Sequence, residues 1–403
     1  MVALRPALMR RVFAALDASP PRIPVLVGGC GSGRTTLLLQ ARDRLGRTAT
    51  QYVDVERTAT TPERFARAVF GPSPFPTSDA VPIGARPAFD ALLAFLTHAR
   101  TSAGEPATFL LDEFLELRTF ESFPGLRRVL HDLVDGLAAS ANRFVLTSRY
   151  MARTMRLLRD RTARFEIIQM PALTVEDTIE LLGLSAAVRG RGSAVSAVGP
   201  LNPLSPLSDE AHDAEYLART VHAIADGRPA YVRALADELA SHRERGDAGS
   251  RDPISTLAAL MAPDGRLSRL CNFSYELRLH RARGYGALKA ILEILAEEEG
   301  LTLTEISQRL QRTPGSTKDY LSWLEDVDLI ASRQKRYSYT DPLLRLWVRL
   351  YCRVSAPSED DLAREVHRYA MPRLPQHEPA MAMATMAASS EDEKKSWGII
   401  EID

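Results

Sequence analysis

Gly28-Gly29-Cys30-Gly31-Ser32-Gly33-Arg34-Thr35-Thr36 follows a short apolar run, Ile23–Val27, and leads into three leucines at 37–39. The loop has a Gly, four residues, a second Gly, a basic residue and Thr, between a predicted strand and a predicted helix. Glycines let the backbone of such a loop wrap a phosphate with its N–H groups, and the following helix directs its positive dipole end there. These nine residues therefore predict a phosphate-binding loop for ATP, with the Thr35 hydroxyl as a ligand of Mg²⁺.

Arg34 stands where this loop pattern ordinarily has lysine. A lysine ammonium meets the β- and γ-phosphates as a compact point charge, whereas a guanidinium is larger, planar and suited to bidentate contacts. The chain has 5 lysines against 46 arginines, and the first lysine is Lys289. Arg34 is interpreted either as a replacement that still serves phosphate binding and catalysis, or as the mark of a slow or inactive ATPase.

Asp112 and Glu113 end an apolar run at 109–111, downstream of the loop. In P-loop nucleotide hydrolases an acidic residue after such a strand holds Mg²⁺. We expect Asp112 to do so through the water shell of the ion, and Glu113 to polarise the attacking water as a general base. The alternative is that Asp112 and Glu113 form only a solvated strand end. The phosphate loop upstream would then lack the acidic residue that usually accompanies it.

Another apolar run, Phe144–Thr147, is followed by Ser148 and Arg149. Ligands of open α/β sheets bind at the carboxyl ends of the strands, which is where these side chains are expected. Thr147 or Ser148 is a candidate sensor of the γ-phosphate, and Arg149 a candidate for adding positive charge to the transition state. A helix cap followed by a surface arginine is the alternative, since arginine is frequent in this chain.

Charge and cysteine content bear on the class of protein. The formal net charge is zero, so contact with nucleic acid or an anionic membrane requires a local patch. Three separated cysteines form no C-x-x-C pair and the histidines have no ligand spacing, which argues against a disulfide framework and a zinc site. The first 17 residues lack a signal-peptide core, and no run is long enough to span a membrane. A cytoplasmic protein is the expectation.

Strand-like and helical patterns alternate through residue 170 and then give way to helices. Strands are predicted at 23–27, 51–55, 109–111, 144–147 and 166–169, with helices such as 35–45 and 124–140 between them. This alternation predicts an α/β fold of the P-loop NTPase type, with a parallel sheet covered by helices on both faces. An all-helical lid and a winged-helix domain are expected to follow. The predicted limits are 1–170 for the NTPase domain, 171–283 for lid and linker, 284–352 for the winged helix, and 353–403 for a tail that is helical and then disordered.

Segments rich in Gly, Pro and Ser are predicted to be loops. Gly71–Arg86 interrupts the α/β pattern, Ser185–Asp213 separates two lid helices at 174–184 and 214–226, and Glu244–Pro253 is typical of a linker.

Three amphipathic segments, Tyr285–Glu298, Leu303–Leu310 and Ser316–Val327, have the lengths expected of a helix-turn-helix unit. Gln311–Gly315, with its Pro-Gly pair, is predicted to form the turn, and Ile330–Thr340 a two-stranded wing. The spacing therefore predicts a winged helix.

DNA contact is one interpretation of this unit. The third helix would present Thr317, Lys318 and Ser322 to the major groove, and the wing would contact phosphates. The basic residues at the wing tip are Arg333, Lys335 and Arg336. The alternative is a winged helix that serves as a lid or protein-contact module, with its leucines merely filling a core.

Several motifs together resemble the STAND class of P-loop ATPases, and within it the archaeal-type ATPase family, which is also widespread in bacteria. Its Walker A, Walker B and sensor 1 elements are similar to GGCGSGRTT, FLLDEF and FVLTSR in this chain. Its turn into the lid is similar to MPALTVEDTIELL, its lid motif to Gly227-Arg228-Pro229, and the end of its winged helix to DPLLRLWVRLY.

The resemblance spans roughly residues 5–352. Two features depart from the family: Arg34, and the lack of an Arg-Glu-Glu signature before the first strand. The resemblance implies that Pro229 packs close to the nucleotide, and that nucleotide state changes the packing of the P-loop domain, lid and winged helix.

Three functions follow as hypotheses. The first is an ATPase switch with ATP or ADP and Mg²⁺ as ligands, which forms a nucleotide-dependent oligomer or engages a protein partner through the lid, winged helix or tail. The second is a nucleotide-gated DNA-binding regulator or loader that uses the winged helix. The third is a pseudo-ATPase scaffold, in which Arg34 abolishes turnover and the tail recruits another protein.

Overall fold

The computed structural model describes residues 5–77, 80–161, 163–185, 206–245, 252–279, 284–353 and 355–375. The predicted disorder after residue 375, most of the Ser185–Asp213 loop and most of the linker Glu244–Pro253 lie outside the described residues.

A five-stranded parallel sheet forms the centre of the N-terminal half. Its strands are β1 (Ile23–Val27), β2 (Thr50–Asp54), β3 (Thr108–Asp112), β4 (Arg143–Ser148) and β5 (Phe165–Gln169). They lie in the order β2-β3-β4-β1-β5, and each pairing is parallel. β1 and β3 are buried along their whole length, as expected for strands covered on both faces. The α/β fold and the five predicted strands are confirmed.

Helices cover both faces of this sheet because successive side chains of each strand point to opposite sides. On one face, Leu26, Leu110 and Val145 pack against the first two helices. On the other face, Phe109 and Phe144 stack with ring centroids 5.9 Å apart beneath the remaining helices. The helices of this half are α1 (Pro6–Leu16), α2 (Arg34–Leu45), α3 (Val55–Thr58), α4 (Pro62–Phe70), α5 (Ala85–His98), α6 (Val129–Ala139) and α7 (Met151–Leu158).

The predicted helix at 124–140 is wrong in its first turn. Gly125 has φ 79°, a left-handed conformation that does not continue an α-helix, and α6 begins at Val129. A 3₁₀ segment, Phe114–Ser122, precedes it and follows β3.

A helical region follows the sheet. It comprises α8 (Val175–Leu181), α9 (Pro206–Ile224), α10 (Pro229–Arg245), α11 (Pro253–Met261) and α12 (Arg266–Leu279). Because α9 begins at Pro206, the last eight residues of the predicted loop Ser185–Asp213 are helical. Proline is well suited to the first position of a helix, where its missing N–H is not needed. Among the described helices, none is both long and apolar enough to cross a membrane.

A winged helix follows the helical region, as predicted. It comprises α13 (Tyr285–Glu297), β6 (Leu301–Thr302), α14 (Leu303–Leu310), α15 (Pro314–Asp326), β7 (Ile330–Arg333) and β8 (Arg336–Tyr339), and is followed by α16 (Pro342–Tyr351) and α17 (Glu359–Ala370). The three strands form an antiparallel sheet in the order β6-β8-β7.

Two details of the helix-turn-helix differ from the prediction. The turn is shorter, because Thr313 caps α15 by accepting a hydrogen bond from the Ser316 amide at 3.4 Å, and Pro314 begins the helix. Thr317, predicted to face DNA, is fully buried, and its hydroxyl donates to the Thr313 carbonyl at 3.0 Å. Lys318 and Ser322 are exposed.

The winged helix packs directly on α7. The Met151 amide donates to Asp328 Oδ2 at 2.5 Å, and Arg156 pairs with Asp326. Burial raises the pKa of Asp328 from its ordinary 3.8 to about 6, so the carboxylate is ionised at neutral pH. A negative charge at the first amides of α7 complements the helix dipole. Asp328 therefore acts as the N-terminal cap of a helix that belongs to the sheet region.

Candidate nucleotide site

The loop Gly28–Thr36 connects β1 to α2, and two of its glycines have conformations that other residues rarely adopt. Gly31 has φ 74° and Gly33 has φ 89°. A Cβ atom on Gly31 would lie 2.6 Å from the Cβ of Ala230, and one on Gly28 would lie 2.9 Å from that of Met170. These glycines are needed both for the turn and for the close approach of α10 and of the residue that follows β5.

A cavity of about 340 Å³ lies between this loop and the helical region. The loop contributes residues 31–37, and the opposite wall includes Leu181, Pro229 and Leu270. Among the described residues, four arginines and no acidic residue line it, so the cavity suits a polyanion. The lining arginines are Arg5, Arg34, Arg233 and Arg266.

Pro229, which the family resemblance puts close to the nucleotide, lines the same cavity as the loop. The next residue, Ala230, donates its amide to the carbonyl of Gly31 at 3.1 Å, so the first turn of α10 is tied to the loop. Gly28, Gly29, Cys30 and Thr147 do not line the cavity. The first three form the inner part of the loop.

Asp112 is the centre of a hydroxyl cluster at the end of β3. Its Oδ2 accepts from Thr35 Oγ1 at 2.7 Å and from the Tyr52 hydroxyl at 2.9 Å, while its Oδ1 accepts from Thr147. Thr147 is fully buried and also accepts from the Glu113 amide at 2.8 Å. In this arrangement Thr147 orients the acidic pair and does not face the cavity.

Thr35 and Asp112 fit a magnesium ion. An octahedral ion with Mg–O distances of about 2.1 Å sets neighbouring ligand oxygens about 3 Å apart. The Thr35 hydroxyl donates to the Asp112 carboxylate at 2.7 Å, so with Thr35 as a ligand, Asp112 is within reach of a water molecule at a neighbouring position of the ion. Tyr52 was not predicted as part of this site.

Glu113 is held by two arginines. Its Oε1 pairs with Arg34, and its Oε2 accepts from the Arg149 amide at 3.0 Å and lies 3.1 Å from Arg149 Nε. Burial alone would raise the pKa of Glu113, but the two guanidinium groups outweigh burial and lower it below its ordinary value. Glu113 has φ 58°, an uncommon conformation for a residue other than glycine. The carboxylate is therefore fully paired and weakly basic.

Arg149 is 4% exposed, which excludes its interpretation as a surface arginine. It pairs with Glu113 and with Glu56, the second residue of α3, the helix that directly follows β2. Burial opposes its charge, yet Glu113 and Glu56 raise its pKa above the ordinary value. Glu56 was not predicted, although the carboxyl end of β2 lies at the same edge of the sheet as Asp112.

Arg34 does not extend freely into the cavity. One terminal nitrogen pairs with Glu113 and the other donates to the Gly29 carbonyl at 2.9 Å. Its Nε and the hydroxyl of Ser32 are buried without a hydrogen-bond partner in the described part of the chain. Unpartnered buried donors beside a glycine loop fit phosphate oxygens as acceptors.

Two further arginines connect the loop to the winged helix. Nitrogens of Arg228 and Arg278 lie 3.3 Å and 3.6 Å from where a Cβ on Gly29 would be. Arg228 also donates to the Thr340 carbonyl at 2.5 Å, and Arg278 to the Asp328 carbonyl at 3.0 Å. Two side chains that donate hydrogen bonds to the winged-helix region therefore lie beside Gly29 at the back of the phosphate loop.

Comparison with known proteins agrees with this architecture. A family model described as winged helix-turn-helix DNA-binding matches residues 287–331. No curated protein matches the sequence.

Solved structures resemble most of the chain. A Walker-type ATPase of Pyrococcus abyssi has a TM-score of 0.54 and 16% identity, over 86% of this chain and 96% of that protein. Orc1 of Aeropyrum pernix, solved in complex with DNA, has a TM-score of 0.44 and 17% identity, over 91% and 93% of the two chains. Cdc6p of Pyrobaculum aerophilum has a TM-score of 0.39 and 13% identity, over 93% and 96%. The first of these likenesses establishes a P-loop ATPase fold.

Proposed function

We propose that this protein is an ATP-dependent switch of the STAND type, in which nucleotide state changes the packing of the winged helix on the P-loop domain. The observation that supports it most is the meeting of Thr35, Asp112 and Glu113 beneath a cationic cavity. Contacts from that site to the winged helix support the coupling. We propose the same domain limits as those expected from the sequence.

In this proposal the triphosphate lies along residues 31–36, where the first amides of α2 have no acceptor within the helix. Ser32 and Arg34 donate to phosphate oxygens. Thr35 directly, and Asp112 through water, would hold Mg²⁺, which would supply positive charge against the phosphates. The apolar side of the cavity takes the nucleoside.

Hydrolysis requires Glu113 to be released from Arg34. The γ-phosphate competes with Glu113 for the guanidinium, because both are anions and a bidentate phosphate contact suits arginine. The freed carboxylate takes a proton from water, whose oxygen attacks the γ-phosphorus while the bond to the β-phosphate oxygen breaks. Arg149 then stabilises charge on the transferred phosphoryl group. Turnover is slow because Arg34 must change partners.

The winged helix would sense this change through α7. Arg149 is separated from Met151 by one residue, and the Met151 amide donates to Asp328. A shift of Arg149 away from Glu113 therefore moves the helix end that Asp328 caps. Arg228 and Arg278 offer a second connection, from Gly29 to the same domain.

Hydrogen exchange of the α7 amides tests the switch. We expect faster exchange in the peptide Met151–Leu158 with a non-hydrolysable ATP analogue than with ADP, because loss of the Asp328 cap exposes the first amides of the helix. Asp112→Asn, which removes a magnesium ligand, is expected to abolish the difference. Asp328→Ala is expected to exchange fast in every nucleotide state.

Strand β5 provides an internal control, since its amides should not respond to nucleotide. Equal exchange of α7 in the free, ADP-bound and analogue-bound protein would contradict the switch while leaving nucleotide binding open.

We propose DNA binding as a second function, supported by the wing tip. Gln334 and Lys335 have φ 52° and 62°, the mirror-image turn that usually contains Asn-Gly. Each such residue costs about 1 kcal/mol or more, and strained residues cluster at functional sites. Arg333 and Lys335 are exposed, and Arg336, also exposed, is braced by the Gly300 carbonyl at 2.6 Å. The match to a winged helix-turn-helix DNA-binding model gives independent support.

Removing the charges of the wing is expected to weaken binding to duplex DNA. With Arg333→Gln and Lys335→Gln together, the slope of log affinity against log salt concentration should fall by about 2, because each lost phosphate contact contributes about 0.9. Fluorescence anisotropy over a salt series measures this slope. Arg44→Gln with Arg47→Gln is the matched control on α2 and the loop after it. An unchanged affinity and slope would leave the winged helix as a protein-contact module.

A further inference from the structure

Arg5 lies at the start of α1, and its side chain lines the cavity next to the phosphate loop. Both terminal guanidinium nitrogens are buried, and neither has a hydrogen-bond partner among the described residues. Arginine donates through five N–H groups and accepts none, so these atoms need acceptors. Neither the fold nor the proposed hydrolysis uses this side chain.

A buried guanidinium without partners is unfavourable in the free protein. Burial lowers the pKa of Arg5, and the charge of Asp177 only partly offsets that effect. An unsatisfied buried donor destabilises a fold, and more so when it is charged. The folded chain holds Arg5 in this position although no hydrogen bond from the described residues offsets the cost of burying its charge. Such an uncompensated cost is typical of a residue whose function is to bind a ligand.

The surroundings of Arg5 separate it from the phosphate-binding residues. Its electrostatic neighbour is Asp177, in the first turn of α8, and Leu181 of the same helix lines the cavity. Leu181, Pro229 and Leu270 provide apolar wall, as a planar base requires. Arg34, by contrast, is engaged with Glu113 at the sheet edge.

We propose that Arg5 is a base-contacting residue that donates hydrogen bonds to acceptor atoms of the nucleobase. This role rests on the proposed nucleotide binding. Guanine presents O6 and N7 side by side to a guanidinium, whereas in adenine the amino group beside N7 is a donor. Arg5 therefore contributes to binding of both purine nucleotides and contributes more to that of GTP.

Calorimetric titration of the full chain with ATP, GTP and inorganic tripolyphosphate tests this role. With Arg5→Ala we expect affinity for ATP to fall about fivefold and for GTP about 20-fold, in the range that one or two hydrogen bonds to a charged group provide. Affinity for tripolyphosphate, which has no base, should stay within twofold. Arg10→Ala removes the same charge from an exposed position of α1 and should change none of the three.

Thermal unfolding of the free protein gives a second readout. Arg5→Met keeps the volume and removes the unpaired donors, so it should unfold at a temperature no lower than the wild type, and the loss of affinity is then not a loss of fold. A lower unfolding temperature for Arg5→Met would show a structural role and overturn the proposal.

Three binding results would also overturn it. An equal loss for tripolyphosphate would make Arg5 a phosphate contact, and unchanged affinities in Arg5→Ala would remove it from the site. A larger loss for ATP than for GTP would contradict recognition through guanine O6 and N7. A wild-type protein that binds none of the three ligands would instead refute the nucleotide site itself, and the role of Arg5 with it.

Discussion

Glu113→Gln is expected to lower ATP-dependent phosphate release at least about 100-fold, the usual contribution of a general base. Glutamine has nearly the same shape but cannot take a proton from water. The Arg149 amide keeps an acceptor, because the amide oxygen of glutamine can replace Oε2. Arg34 loses its anionic partner and becomes free to meet phosphates. Affinity for ATP should therefore be retained or increased while turnover is lost.

Phosphate release and ATP binding are measured on the same preparations. Glu121→Gln is a matched control. It removes a carboxylate that pairs with Arg118 at the surface, in the 3₁₀ segment Phe114–Ser122 that directly follows Glu113. Equal background rates in the wild type and in Glu113→Gln would contradict hydrolysis and favour a pseudo-ATPase scaffold that binds nucleotide without turnover.

Arg34→Lys is expected to raise phosphate release about tenfold, a gain of about 1.4 kcal/mol in the stability of the transition state, because the restraint on Glu113 is weakened. In the wild type, the planar guanidinium of Arg34 contacts the Gly29 carbonyl with one nitrogen and Glu113 with another. A lysine ammonium has a single charged nitrogen and cannot hold both partners in that geometry. Glu113 would keep Arg149 as its cationic partner, its pKa would rise, and it would be a better base.

The double variant Arg34→Lys with Glu113→Gln tests whether the gain in phosphate release acts through Glu113 or independently of it. If Arg34 restrains Glu113, the double variant is as inactive as Glu113→Gln alone, and the two substitutions are not additive. A fall in phosphate release by Arg34→Lys would contradict the restraint and identify Arg34 as a residue adapted to this active site. Initial rates at saturating ATP distinguish these outcomes.

The sheet and the loop could be predicted because their determinants are local. Each buried strand is a short apolar run, and the glycine pattern of residues 28–36 is dictated by positive φ and by close contacts. Asp112 and Glu113 were found because they follow such a run directly. Helix ends were less predictable where a single residue decides them, as Gly125 does before α6 and Pro314 at α15.

The partners of the acidic pair could not be read from local pattern. Tyr52 and Glu56 come from β2 and the helix after it, and only the strand order puts β2 beside β3. Asp328 lies 177 residues from Met151 in the sequence. No sequence motif predicts a helix cap that comes from another part of the chain. The prediction that Thr317 faces DNA was wrong because a shift of one position along a helix can change a side chain from exposed to buried.

The absence of lysine before residue 289 has a practical consequence for chemical labelling. Nucleotide analogues that acylate amines depend on a lysine side chain near the bound phosphates, and no described residue of the loop or of the cavity wall is a lysine. Surveys of nucleotide-binding proteins by amine-directed affinity reagents would therefore pass over this site. Dicarbonyl reagents that modify guanidinium groups have four targets around the same cavity, and protection by added nucleotide would map them.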